Sequence, residues 1–132
     1  MAAAKSSAEK IIIVVDDNPD IVNIVRTILE GKGYKVMSAY SGAELFTRLK
    51  EETPDLIILD IMMPEMDGLE VLTRIKSVSE TASIPVILLT AKVQYEDVLG
   101  GYKLGADYYI TKPFTSTQLT NGINLLLGEV KP

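Results

Sequence analysis

The chain has 132 residues, 47% of them hydrophobic and 23% charged, which suits one compact domain with a real core and is too short for two independent ones. Histidine and cysteine are both absent, which excludes His/Cys zinc sites, Ser-His-Asp and Cys-His nucleophiles, disulfides and histidine-based phosphotransfer within this chain. The formal charge of −5 argues against direct nucleic-acid binding, which needs a clustered basic face.

Residues 1–9 are small and polar, lack the apolar stretch of a secretory signal, and read as a flexible leader. The first strand is predicted at Ile11 to Val15. It and the other apolar runs are far shorter than the roughly 20 residues needed to cross a bilayer, so no membrane insertion and a cytoplasmic location are expected. Asp16-Asp17 follow. A helix begins after Pro19 and carries Ile21, Ile24, Val25, Ile28 and Leu29 at helical spacing as far as Gly31. A second strand spans Lys35 to Ala39. Ser41 with Glu44 three residues on is a capping-box signature opening a helix with Leu45, Phe46 and Leu49 on one side.

The third strand, Leu56 to Leu59, leads into Asp60, and a helix follows from about Gly68 to Lys76. The fourth strand, Val86 to Leu89, leads into Thr90. A helix around Tyr95 to Leu104 contains Gly100 and Gly101, which weaken it by roughly 1 kcal/mol each relative to alanine. The fifth strand, Tyr108 to Ile110, is followed closely by Lys112-Pro113, and the last helix runs from about Ser116 to Leu127 with Leu119, Ile123 and Leu126 at core spacing. Residues 10–128 form the domain and 129–132 a tail. Several strands are apolar without alternation, as in a parallel sheet covered on both faces. Five strand–helix alternations with right-handed crossovers give an α/β fold, a three-layer α/β/α sandwich of (βα)5 type.

Open parallel sheets bind ligands beyond the carboxyl ends of their strands. Asp16, Asp17, Asp60, Thr90 and Lys112 all stand at such ends. Either Asp16 or Asp17 alone would read as a turn residue or helix cap. As a set, five functional groups at four strand ends converge on one rim. Three carboxylates brought together repel unless protons, a cation or a lysine offset the charge, and oxygen-only ligands suit magnesium, with manganese as a substitute. Asp60 could then accept a phosphoryl group as an acyl phosphate, with Thr90 and Lys112 holding the phosphoryl oxygens.

From about Lys10 to Leu127 the chain resembles the response-regulator receiver family of two-component signalling, particularly its single-domain chemotaxis-type members. The motifs that carry the resemblance are Val14-Val15-Asp16-Asp17-Asn18, Asp55-Leu56-Ile57-Ile58-Leu59-Asp60, Met63-Pro64-Glu65-Met66-Asp67-Gly68, Leu89-Thr90-Ala91 and the stretch from Gly105 through Lys112-Pro113-Phe114. The resemblance implies a flavodoxin-like five-stranded parallel sheet of order 2-1-3-4-5. It implies Asp60 as phosphoacceptor, Asp16, Asp17 and Asp60 with the Met62 carbonyl as magnesium ligands, and Thr90 and Lys112 on the phosphoryl group. The Lys112-Pro113 bond would be cis. Thr90 and Tyr109 would form the switch that reshapes the surface of the predicted 95–104 helix, the fifth strand and the last helix.

The resemblance also implies a signalling domain that catalyses only its own phosphorylation and dephosphorylation. Its donor would be a histidine kinase or a histidine phosphotransfer protein, with Asn23, Arg26 and Thr27 on the docking helix. Its target would be a downstream protein or an attached output domain. Met62, Ala91, Lys92 and Pro113 would border the site. An apolar Met62 hinders an attacking water and small Ala91 leaves access to Thr90, which predicts a long-lived phosphoryl state. The last helix carries no charge over residues 116–124, unlike the charged dimerisation network of receivers attached to winged-helix regulators. A monomer or a weak phosphorylation-dependent dimer is expected.

Other readings fit less well. Haloacid-dehalogenase-type phosphatases place their nucleophile after the first strand with a second aspartate two residues on, whereas Asp60 follows the third strand and precedes Ile61-Met62. A flavin-binding flavodoxin-like module has a hydroxyl- and glycine-rich phosphate loop where this chain has Asp16-Asp17-Asn18-Pro19-Asp20. A pseudo-receiver that only binds partners would not need every phosphoryl-handling position filled. Neither a phosphate-binding glycine loop with Lys-Ser or Lys-Thr nor a dinucleotide Gly-x-Gly-x-x-Gly pattern occurs.

Overall fold

The computed structural model describes residues 10–61, 63, 68–90 and 105–128. Within them the strands are β1 (Ile11–Val15), β2 (Lys35–Ala39), β3 (Leu56–Asp60), β4 (Val86–Thr90) and β5 (Tyr108–Thr111), and the helices are α1 (Pro19–Gly31), α2 (Gly42–Glu51), α3 (Gly68–Ser77) and α4 (Ser116–Leu127). The helix predicted around 95–104 lies outside the described residues.

All five strands are parallel, in the order β2-β1-β3-β4-β5. The alternation of side chains divides the core into two layers. Ile13 and Val15 of β1, Ile57 and Leu59 of β3, and Val86 and Leu88 of β4 join Leu45 of α2 and Val71, Leu72 and Ile75 of α3. On the other side Ile12, Val14, Ile58, Ile87 and Leu89 join Val22, Val25 and Leu29 of α1 and Leu119 and Ile123 of α4. Both faces of the central strands are therefore dry, which explains their unbroken apolar sequence. No described helix is long and apolar enough to cross a membrane.

β3, β4 and β5 each run one residue past their predicted ends, because the ladder continues through Asp60↔Leu89 and Thr90↔Thr111. Asp60 and Thr90 are thus the last rungs of the sheet rather than loop residues. The buried stripe of α1 is also rotated from expectation. Val22, Val25 and Leu29 face the core, Ile21 and Ile28 are partly buried, and Ile24 is 49% exposed. The residues at 22, 25 and 29 form the tighter i, i+3, i+7 row against β1 and β2.

Local chemistry sets the helix ends that feed the site. Pro19 starts α1 and Asn18 caps it, its side chain accepting from the Asp20 N–H at 2.9 Å. Ser41 caps α2 through the Glu44 N–H at 3.1 Å. At α4, Thr115 and Gln118 form a complete reciprocal capping box.

Candidate phosphoacceptor and metal site

The carboxyl ends of β1, β3 and β5 bring Asp16, Asp17, Asp60 and Lys112 together. Asp16 follows β1, and its N–H donates to the Ala39 carbonyl at 3.1 Å, which ties it to the end of β2. Its Oδ1 accepts the Asn18 N–H at 2.9 Å, so the residue that caps α1 also fixes this carboxylate. Asp16 is fully buried and Asp60 is 2% exposed, whereas Asp17 faces solvent. Buried carboxylates need charge partners. Lys112 supplies one, with Nζ 2.7 Å from Asp16 Oδ2 and 3.6 Å from Asp60 Oδ1.

One carboxylate oxygen from each of Asp16, Asp17 and Asp60 lies within 4.8 Å of the other two. Among the described residues, three clustered carboxylates face the single ammonium of Lys112, an excess of negative charge that a divalent cation would offset. The donors are all hard oxygens, with no imidazole or thiolate in the chain, so the group fits magnesium or manganese.

The backbone behind Asp60 is held by a feature that sequence reasoning missed. Gly68 opens α3, its N–H donates to the Ile61 carbonyl at 2.7 Å, and a Cβ there would lie 2.3 Å from the Asp60 carbonyl oxygen. Only glycine lets the helix start approach the peptide after Asp60 this closely. The signal was the glycine itself, at the end of Met63-Pro64-Glu65-Met66-Asp67-Gly68.

The Lys112–Pro113 bond is cis, and Pro113 is exposed beside the site. Tyr109 of β5 stands opposite Leu88 and Thr90 opposite Thr111, with the Tyr109 ring partly buried against the α2–α3 layer. Met62, Ala91, Lys92 and the side chain of Thr90 lie outside the described residues. On α1, Asn23 and Thr27 are exposed as expected, but Arg26 is half-buried and turned onto Ser38.

The model of the response regulator receiver domain family matches residues 12–124. The chain belongs to that family. This receiver is 42% identical over 120 residues to the response regulator SaeR of Staphylococcus aureus, a match covering 91% of this chain and 51% of SaeR, so the chain spans about half the length of the curated relatives it matches. Its structure is similar to the chemotaxis protein CheY4 of Vibrio cholerae, with a TM-score of 0.85 and 29% identity over 89% of this chain and 98% of that one. It is also similar to the signal receiver domain of a signal transduction histidine kinase from Syntrophus aciditrophicus, with a TM-score of 0.83 and 38% identity over 92% of each chain. The receiver is a two-component signalling domain, and its five-stranded 2-1-3-4-5 sheet lies within the fold that it shares with the CheY4 structure.

Proposed function

We propose that this receiver accepts a phosphoryl group on Asp60 from a phosphohistidine of a histidine kinase or histidine phosphotransfer protein, with magnesium bound beside it. The observation that carries this reading is a nearly buried Asp60 carboxylate at a sheet end, flanked by two aspartates and a lysine within ion-pair reach.

In the transfer, an Asp60 oxygen forms a bond to phosphorus while the phosphorus–nitrogen bond to the donor imidazole breaks, its electron pair leaving with the imidazole. Asp16, Asp17 and Asp60, with the Met62 carbonyl, would hold the magnesium ion. When bound, that ion neutralises phosphoryl oxygen charge. Lys112 is tethered to Asp16 and needs only to shorten its 3.6 Å approach to Asp60 to meet the incoming phosphoryl group. The Thr90 hydroxyl takes a phosphoryl oxygen, and its movement opens space for the Tyr109 ring, changing the surface around β5 and α4. The receiver thus catalyses its own modification and its reversal, as a cytoplasmic switch read by a protein target or an output domain.

Phosphoramidate tests the reading directly, because it carries the phosphorus–nitrogen bond of the natural donor. The parent chain should become phosphorylated with magnesium present, and Asp60→Asn should not. Equal modification of both would refute Asp60 as acceptor.

A further inference from the structure

Two of the chain's three arginines meet at the open edge of the sheet. β2 is an edge strand. Arg26 approaches from α1, which packs on one face, and Arg48 from α2, which packs on the other. A terminal nitrogen of Arg26 donates to the Ser38 hydroxyl, and Arg48 Nε donates to the Ser38 carbonyl at 3.4 Å. Arg26, Met37, Ser38, Tyr40 and Arg48 line a cleft of about 340 Å³ there, with no acidic side chain among them.

We propose that this cleft binds a small phosphate-type oxyanion, at a site separate from Asp60. Two guanidinium groups drawn onto one residue repel each other, and an anion between them removes that repulsion. Each guanidinium has five N–H donors in a planar fork, and the contacts to Ser38 use one from each. Glu30 and Glu51 stand 3.9 Å from Arg26 and Arg48, beyond hydrogen-bond length and on the exposed surface, where such pairs hold weakly. Planar forks of this kind recognise phosphate oxygens in pairs. Tyr40, 40% exposed, also lines the cleft.

The test is a titration of the whole chain with inorganic pyrophosphate, without magnesium, read in nitrogen–proton correlation spectra. Saturating shifts are expected at the Ser38 and Tyr40 amides and the Arg26 and Arg48 side-chain resonances. In Arg26→Gln and Arg48→Gln the dissociation constant should rise about tenfold. Arg48→Lys, which keeps the charge and the fold but loses the fork, should weaken binding by a smaller factor. Shifts that never saturate, that persist unchanged in these variants, or that are confined to the Asp16 and Lys112 rim would overturn the proposal.

Discussion

Lys112 hydrogen-bonds Asp16 at 2.7 Å while standing 3.6 Å from Asp60, so the residue that would meet the phosphoryl group is held in reserve by the neighbouring carboxylate. Asp16 is in turn fixed by the Asn18 N–H, and Asn18 caps α1. The site's charges are therefore set by the start of α1 as well as by the strands. The acidic rim still carries more negative charge than Lys112 offsets.

On the proposed reading, that imbalance should make stability depend on a divalent cation. Magnesium should raise the thermal unfolding midpoint of the parent, with a gain of about 1.4 kcal/mol at tenfold over the dissociation constant. Asp17→Asn should shrink the gain, because one of the three clustered carboxylates is lost. In magnesium-free buffer the same variant should be more stable than the parent, since it relieves like-charge repulsion. Calorimetry with and without magnesium checks both, and a parent midpoint indifferent to magnesium would count against the metal assignment.

Gly68→Ala should destabilise the domain by about 1–3 kcal/mol, since the added methyl meets the Asp60 carbonyl oxygen at 2.3 Å and Ile61 Cα at 2.5 Å, both backbone atoms. Gly31→Ala is the control. Nothing lies within 4 Å of its added Cβ, so the exchange should be neutral or stabilising by up to about 1 kcal/mol. Urea denaturation of both variants separates close packing from a general dislike of substitution.

The Tyr34 hydroxyl is buried without a hydrogen-bond partner among the described residues. Tyr34→Phe should therefore raise stability by about 1 kcal/mol at neutral pH. Burial also pushes the phenol's pKa above its ordinary value of about 10. The folded state then holds this proton more tightly than the unfolded chain, so the contribution is complete below pH 10 and is lost as pH climbs through the folded-state value. Unfolding curves across the alkaline range should fall less steeply for Tyr34→Phe than for the parent.

The capping box at α4 gives a fourth expectation. Thr115→Ala removes the acceptor for the Gln118 N–H and should lower stability by about 1 kcal/mol, while Thr115→Ser should retain most of it. Because α4 covers β5 through Leu119 and Ile123, hydrogen exchange of the Ile110 amide should quicken in the alanine variant.

Apolar runs and turn residues made the five strands, their parallel pairing and the convergence of Asp16, Asp17, Asp60 and Lys112 legible, because the sheet's carboxyl ends define a single rim. Three things were not legible, each for a physical reason. The ladder's last rung at Asp60 depends on pairing with Leu89, which no local pattern encodes. The rotation of α1 that buries Val22 and exposes Ile24 is decided by packing, since either apolar row would serve an isolated helix. The meeting of Arg26 and Arg48 on Ser38 joins side chains from opposite faces of the sheet, so from sequence Arg26 read as an exposed residue of the docking helix.

The most direct measurement is the intact mass of the parent chain and of Asp60→Asn after incubation with acetyl phosphate, with and without magnesium. The expected result is a single phosphoryl adduct on the parent that requires magnesium, with no adduct on Asp60→Asn. An adduct that survives the substitution, or a parent that takes none under any condition, would contradict the assignment of Asp60 as the phosphoacceptor.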